Sequence, residues 1–295
     1  MKSYLELLLL AALWGGSFLF LRMASPVFGP LLLIELRVLI AGLFLLPFLF
    51  IYGCQRELRD NWRQIAVLSL GNMCIPFSLI AWSTLSIGAG FASILNATVP
   101  FFTAVSAALI WRQPMTLAAI GGMVLGFMGV IALVAGNGGA ELSLTMLPAV
   151  GAGLLAALLY GIAANSIGHN LRGVSGLAIT TGSLGFSALF LLPVVLWQGQ
   201  TELPGGMIWL AVVGLAIACT GVAYLLFYRL ISRIGAYQTV SVTFLVPVFS
   251  ILWGGLFLAE RLTLSMVTGC ILVLLGVAIT TGRLRPGQIV RPGES

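Results

Sequence analysis

The stretch IGAYQTVSVTFLVPVFSILWG, residues 234–254, decides the fold class of this chain. It carries no charged residue, and it is long enough to cross a bilayer core of roughly 30 Å, which needs about 20 apolar residues. Yet it holds a glutamine, five hydroxyl-bearing side chains and Pro247, and a proline removes a backbone hydrogen bond from a helix interior. The stretch predicts a membrane-spanning helix that is polar on one side and weakened near its middle.

The composition extends this prediction to the whole chain. Of 295 residues, 60% are hydrophobic and 7% are charged, with a mean hydropathy of +1.13. A soluble protein carries about 25% charged residues, so this chain cannot cover a water-facing surface. It is predicted to be an all-α polytopic membrane protein. The ten predicted spans are residues 4–24, 30–52, 64–84, 88–111, 115–136, 144–167, 174–197, 206–228, 235–258 and 263–282.

The basic residues segregate to one side of these spans. Ten spans place both termini on one face, which receives eleven of the 14 Lys and Arg residues. The opposite face receives Arg22 and Arg261, and Arg37 lies within a span. The positive-inside rule therefore predicts cytoplasmic termini in a bacterial inner membrane. Because this segregation accounts for the net charge of +6, we expect no nucleic-acid partner.

The chain repeats itself after 147 residues. Without a gap, residues 87–130 and 234–277 share 13 identities over 44 positions, including a proline and several glycines. The repeat unit holds five helices, and an odd number inverts the second copy in the membrane. We predict two inverted units, 1–143 and 144–282, around a central cavity, followed by a basic, disordered tail, 283–295. Inverted repeats are typical of secondary transporters, although some channels have them too.

Several local motifs resemble those of a known family. They are Trp14-Gly15, Leu36-Arg37, the run Ala-Tyr-Leu-Leu-Phe-Tyr at 223–228, Pro247-Val-Phe, and Glu260-Arg261-Leu before the last span. With them the chain resembles the EamA-type, ten-helix members of the drug/metabolite transporter superfamily over nearly all its length. Among these it is similar to bacterial exporters of aromatic amino acids.

The resemblance implies a basket of ten helices. Helices one, three, four, six, eight and nine would line the cavity, and helices five and ten would pack together at the periphery. The implied function is export of small metabolites, most of all aromatic or other neutral amino acids and planar drugs, by alternating access. A proton-coupled exporter of drugs, nucleobases or other metabolites, and a channel-like pore, remain alternatives.

Polar residues recur on one face of the ninth and fourth spans. Thr239, Thr243, Pro247 and Ser250 follow helical spacing. Such a stripe lines a wet cavity or, as the alternative, its hydroxyls bond back to their own helix. Aromatic side chains on the cavity helices would stack on planar substrates. The candidate binding residues are Trp14, Asn72, Ser78, Asn96, Pro100, Thr103, Tyr160, Asn165, Tyr224, Thr239, Thr243, Pro247 and Ser250.

Few charged residues are available for coupling to an ion gradient. The candidates are Glu6, Arg37 and His169. Glu6 is expected to pair with Lys2 at the helix end. Arg37 is expected to pair with loop carboxylates or helix ends, with substrate binding as the alternative. His169 lies too shallow for a proton relay. Because the sequence reveals no deep acidic residue, it favours facilitated export of neutral or zwitterionic solutes.

Other functional classes fit poorly. A hydrolase would need Ser183 to meet His169, and the sequence places them at different depths. One histidine and four scattered cysteines predict no metal site, and we expect no cofactor. The expected partners are a small-molecule substrate and the lipid bilayer, with the protein acting as a monomer.

Overall fold

Ten apolar helical segments and one short helix make up the described part of the protein. The computed structural model describes residues 2–137, 146–199 and 204–283, and every regular element in these ranges is helical. The predicted number of spans is confirmed: eight segments are long and apolar enough to cross a membrane, and two apolar helices of the second half are shorter. The segments are α1 (Lys2–Phe28), α2 (Pro30–Ile51), α3 (Trp62–Ser83), α4 (Ala89–Leu109), α5 (Leu117–Asn137), α6 (Met146–Asn170), α7 (Gly176–Gln198), α8 (Ile208–Ile234), α9 (Ala236–Thr239, Val240–Phe244 and Val246–Leu258) and α10 (Leu264–Thr280).

The helix ends follow local sequence signals. Pro30 occupies the first turn of α2, where its missing N–H is not needed. Ser175 and Thr263 cap α7 and α10 by accepting backbone N–H groups of the first turn. The charged segment between α2 and α3 contains a six-residue helix, Gln55–Asp60.

The helices α4 and α9, each of which contains a proline, are broken, not merely bent. In α4 the helix stops at Asn96 and restarts at Val99. In α9 the central segment, Val240–Phe244, is a 3-10 helix. Pro100 and Pro247 each lie in the first turn of the restarted piece, where a missing N–H costs nothing. The breaks weaken α4 and α9 near mid-membrane, where the sequence predicted them.

Two further helices depart from α-geometry through π-helical segments. α3 contains a π-helical segment, Leu70–Cys74, and α8 contains one at Gly214–Val222. A shift of 147 residues carries 70–74 onto 217–221, so the two segments occupy equivalent positions in the repeat. π-Helical turns are rare and concentrate at functional sites.

The contact between α5 and α10 displays the inversion directly. A Cβ atom at Gly122 would lie 2.6 Å from the Gly276 carbonyl oxygen, and one at Gly129 would lie 2.8 Å from that of Gly269. The two helices therefore run antiparallel with their backbones in contact, which small residues permit. Gly122 and Gly269 correspond under the shift of 147 residues, as do Gly129 and Gly276.

The outer surface is apolar, as a lipid-facing surface requires. Large exposed side chains include Leu43, Leu196, Trp197 and Phe257. The interior joins apolar residues from most helices, among them Phe28, Leu45, Ile94 and Phe101. The predicted boundary at residue 143 and the predicted tail beyond Arg283 lie outside the described residues.

Candidate functional site

A buried arginine lies at the junction of the two halves. Arg37 is 6% exposed, about 10 Å along α2 by helical rise. Its Nε donates to the Thr220 hydroxyl at 3.0 Å, and its guanidinium carbon stands 3.7 Å from the centroid of the Phe77 ring. Thr220 belongs to the π-helical segment of α8. Sequence reasoning expected Arg37 to pair with a carboxylate or a helix end, and this is wrong: among the described residues it forms no ion pair.

Aromatic side chains surround this arginine. Tyr160 and Tyr224 are its electrostatic neighbours, together with the Cys219 thiol. Trp14 packs edge-on against Tyr224, with ring centroids 6.1 Å apart, and Tyr160 lies 6.4 Å from Phe77. Two of the predicted aromatic candidates, Tyr160 and Tyr224, therefore neighbour this charge, and the third, Trp14, packs on Tyr224. Phe77 and Thr220 were not singled out from the sequence, because no local pattern links them to a residue far away in the chain.

The hydroxyl candidates divide into two groups. Ser78, Thr103, Thr239 and Thr243 each donate to a carbonyl of their own helix, three or four residues earlier. Only the Ser250 hydroxyl crosses to another helix, donating to the Ala89 carbonyl at 3.0 Å. The predicted stripe on α9 is therefore interrupted, since the 3-10 segment changes the helical phase between Thr239 and Ser250.

The three asparagines have different environments. Asn165 joins α6 to α4, because its Nδ2 donates to the Thr103 carbonyl at 2.8 Å and to the Ser106 hydroxyl at 2.9 Å. The Asn96 Oδ1 atom is buried at the break in α4 and has no partner in the described part of the chain. Asn72 lies half-buried in the π-helical segment of α3. Asn96 thus lies at the break in α4, and Asn72 lies within the π-helical segment of α3.

Two of the coupling candidates lie at the end of the molecule where α1 begins, called here the terminal face. Glu6 pairs with Arg229 and Arg233 of α8, each at 3.1 Å. The side chain of Lys2, the predicted partner, lies outside the described part of the chain. The exposed His169 ring stacks on Trp111 at 5.2 Å. The Ser183 hydroxyl is buried and has no hydrogen-bond partner among the described residues, so Ser183 and His169 do not form a catalytic pair.

A deep carboxyl group exists after all. Glu35 in α2 is only 4% exposed, and its Oε2 atom has no hydrogen-bond partner within the described ranges. The sequence interpretation that no deep acid is present was wrong, because position 35 alone does not reveal which face of α2 is buried. Its electrostatic neighbour on α3 is Cys74.

The turns after α4 and α9 are copies of each other. Arg112 and Ala259, 147 residues apart, both have left-handed backbones, with φ of 54° and 52°. In each turn the next amide donates to a carbonyl six residues earlier, Gln113 to Ala107 at 3.0 Å and Glu260 to Gly254 at 3.1 Å. The inverted repeat therefore extends to individual hydrogen bonds.

The side chains of Glu260 and Gln113 on these two turns differ in their hydrogen-bond partners. The Glu260 carboxylate accepts the N–H groups of Ala89, at 2.8 Å, and Gly90, at 3.4 Å, at the start of α4. This end of the molecule is called here the opposite face. At the same face Arg22 connects α1 to the end of α3, because it donates to the Thr84 and Leu85 carbonyls. Gln113 is exposed and has no side-chain partner among the described residues, and the corresponding start of α9, Ala236, is exposed as well.

Two cavities lie toward the terminal face. A cavity of about 840 Å³ lies among the ends of α1, α2, α7 and α8, and includes Tyr228 and Arg229. A second, of about 440 Å³, lies between α3 and α6, and includes Gly71 and Ser166. Among the described residues, neither of these cavities is lined by Arg37 or by the aromatic side chains around it.

Comparison with known proteins agrees with this architecture. The EamA-like transporter family matches residues 1–135 and again residues 147–282. The chain belongs to the EamA-like transporter family. It is accordingly a multi-pass membrane transporter, and the two matches fall on the two halves that the 147-residue repeat defines.

Individual relatives extend over nearly the whole chain. The probable amino-acid metabolite efflux pump of Salmonella typhimurium is 24% identical over 96% of both chains. The uncharacterized transporter YvbV of Bacillus subtilis is 27% identical over 94% of this chain and 91% of its own. A crystal structure of another protein covers 92% of this chain and 96% of its own with a TM-score of 0.64, and at 19% identity it shows the fold alone.

Proposed function

We propose that this transporter exports small neutral or zwitterionic metabolites across a bacterial inner membrane by alternating access. The substrates would above all be amino acids, in particular aromatic ones. Both termini would be cytoplasmic, so the terminal face is the side from which substrate is taken up. Two relatives, from Salmonella typhimurium and Escherichia coli, are named probable amino-acid metabolite efflux pumps and support this substrate class. The aromatic side chains around Arg37 suit a substrate with a planar or apolar body.

The proposed transport mechanism rests on one observation: the equivalent turns of the two repeats make different contacts. Glu260 ties its turn to the start of α4, whereas Gln113 leaves the start of α9 free among the described residues. Two inverted copies that adopt different states interconvert when they exchange those states. The exchange would close the terminal face through the Gln113 turn and open the opposite face. The breaks in α4 and α9 supply the flexible points for this movement.

A counterflow assay tests the proposal. The purified protein, reconstituted in vesicles loaded with unlabelled amino acid, should accumulate radiolabelled phenylalanine or tryptophan transiently and with saturation. Accumulation above equilibrium arises because a carrier, unlike a pore, exchanges one molecule per conformational cycle. Vesicles that carry the Trp14→Ala variant should show several-fold weaker apparent affinity for aromatic substrates, since one wall of the cluster is lost.

Two results would count against the proposed function. Linear, non-saturating uptake without counterflow would identify a pore. Failure of every amino acid in a full panel, tested beside nucleobases and planar cationic drugs, would reject the substrate class.

The buried Glu35 supports a second candidate, in which export is coupled to protons. An intramembrane carboxyl group that binds and releases a proton during the cycle would exchange protons for substrate. For this candidate, an imposed proton gradient should accelerate wild-type efflux several-fold and should have no effect on the Glu35→Gln variant, which keeps the shape of the side chain but cannot ionise. Equal gradient dependence of the two proteins would remove Glu35 from the mechanism and leave facilitated export.

A further inference from the structure

Arg37 is a buried charge whose counterion is missing from the described chain. Its environment is apolar or uncharged: the Phe77 ring, the Thr220 hydroxyl, Tyr160, Tyr224 and the Cys219 thiol. Burial of an ion without a partner costs several kcal/mol even after the protein relaxes. A protein keeps such a group where something else supplies the opposite charge during function.

The guanidinium is also only partly used. Nε donates to Thr220, and the ring of Phe77 covers the face of the group, but the two terminal nitrogens donate to no described residue. Neither of these nitrogens is a fully buried atom without a hydrogen-bond partner. They therefore border open space inside a residue that is otherwise buried. Two adjacent N–H donors held in one plane match the two oxygens of a carboxylate.

The partners of Arg37 fix its orientation without needing its charge. The Thr220 hydroxyl has a partner of its own, because it donates to the Leu215 carbonyl at 2.8 Å. Phe77 is apolar. If Arg37 were removed, neither group would be left with an unsatisfied buried donor.

We infer that Arg37 is the carboxylate-binding residue of the transport site, and that the substrates carry a carboxylate on an aromatic or apolar body. This inference rests on the proposed function and narrows it to one substrate chemistry. The carboxylate docks on the free edge of the guanidinium, and the body lies against Trp14, Tyr160 and Tyr224. Amines that lack the carboxylate leave the arginine without its counterion and bind weakly.

Three matched ligands test the inference by direct binding to the purified full chain, for example by calorimetry. They are phenylalanine, 3-phenylpropionate, which lacks the amino group, and phenethylamine, which lacks the carboxylate. The wild type should bind the first two and discriminate against phenethylamine. In Arg37→Gln the affinity for the two carboxylates should fall about 10- to 100-fold, as expected for loss of a charge-assisted hydrogen-bonding pair, while binding of phenethylamine should not weaken. Arg37→Lys, which keeps the charge but not the planar pair of donors, should bind the two carboxylates with an affinity between those of the wild type and Arg37→Gln.

A stability measurement separates binding from structure. Arg37→Gln should melt at the wild-type temperature or above it, because an uncompensated buried charge is removed. Arg59→Gln is the control, since it removes the same charge from an exposed position that lines neither cavity, and it should bind all three ligands as the wild type does. Equal affinity of the wild type and Arg37→Gln for the carboxylates, or a wild type that prefers phenethylamine, overturns the inference. Arg37-dependent carboxylate binding without counterflow would uphold the inference and reject the transport proposal alone.

Discussion

Replacement of Gly122 by leucine should destabilise the protein severely, whereas replacement of its neighbour Gly121 should do little. A Cβ atom at Gly122 would lie 2.6 Å from the Gly276 carbonyl oxygen and 2.8 Å from the Thr280 amide nitrogen, closer than real Cβ atoms approach. These are backbone atoms, which cannot rotate away as a side chain would. A Cβ atom at Gly121 meets nothing within 4 Å, and this residue faces outward. The two glycines therefore form a matched pair on one helix.

The expected difference is large. Overpacking of a tight contact costs about 1–3 kcal/mol. For a leucine pressed against backbone atoms we expect about 3 kcal/mol or more. This corresponds to a loss of roughly 10 °C in melting temperature, or failure to accumulate in the membrane. Size-exclusion chromatography of detergent-solubilised protein after heating measures the loss. Equal melting temperatures for Gly121→Leu and Gly122→Leu would show that α5 and α10 do not pack through these glycines.

The number and position of the helices could be predicted because a bilayer imposes them. Every segment that crosses lipid must be apolar, and every lipid-exposed backbone group must bond within its own helix. The turn after α4 and its copy after α9 also follow from the repeat, since the same backbone is specified twice. The breaks near Pro100 and Pro247 were predictable for the same reason, because proline acts on the backbone locally.

The polar contacts could not be predicted, since they depend on residues that are distant in sequence. Arg37 meets Thr220 across 183 positions, through a π-helical segment of α8. Glu6 was assigned to the nearby Lys2, but two arginines of α8 provide its ion pairs. Spacing also failed on α9, because a 3-10 segment with three residues per turn changes the direction in which later side chains point. Glu35 shows the same limit, as burial depends on the face that a helix presents.

Loss of the Glu260 carboxylate should open the opposite face. The contact of Glu260 with the Ala89 amide resembles a helix cap, and the loss of such a cap costs about 1 kcal/mol. Two transporter states differ by only a few kcal/mol, and 1.4 kcal/mol changes an equilibrium tenfold. We therefore expect Glu260→Ala to raise the population of the state open at the opposite face by five- to tenfold. Glu260→Gln, which keeps an acceptor oxygen, should change it less.

Cysteines introduced at two equivalent positions report this change. Ser93 on α4 is 1% exposed near the opposite face, and Val240, its equivalent on α9, is 43% exposed near the terminal face. In a background without the four native cysteines, Ser93→Cys should react slowly with a maleimide and Val240→Cys quickly. Adding Glu260→Ala should accelerate labelling at position 93 and slow it at position 240, because one equilibrium controls both ends. Gln113→Glu should act in the same direction, since a carboxylate on that turn would hold the start of α9 as Glu260 holds that of α4. If Glu260→Ala accelerates both positions together, the variant is unfolding, and if it changes neither, Glu260 does not hold the opposite face closed.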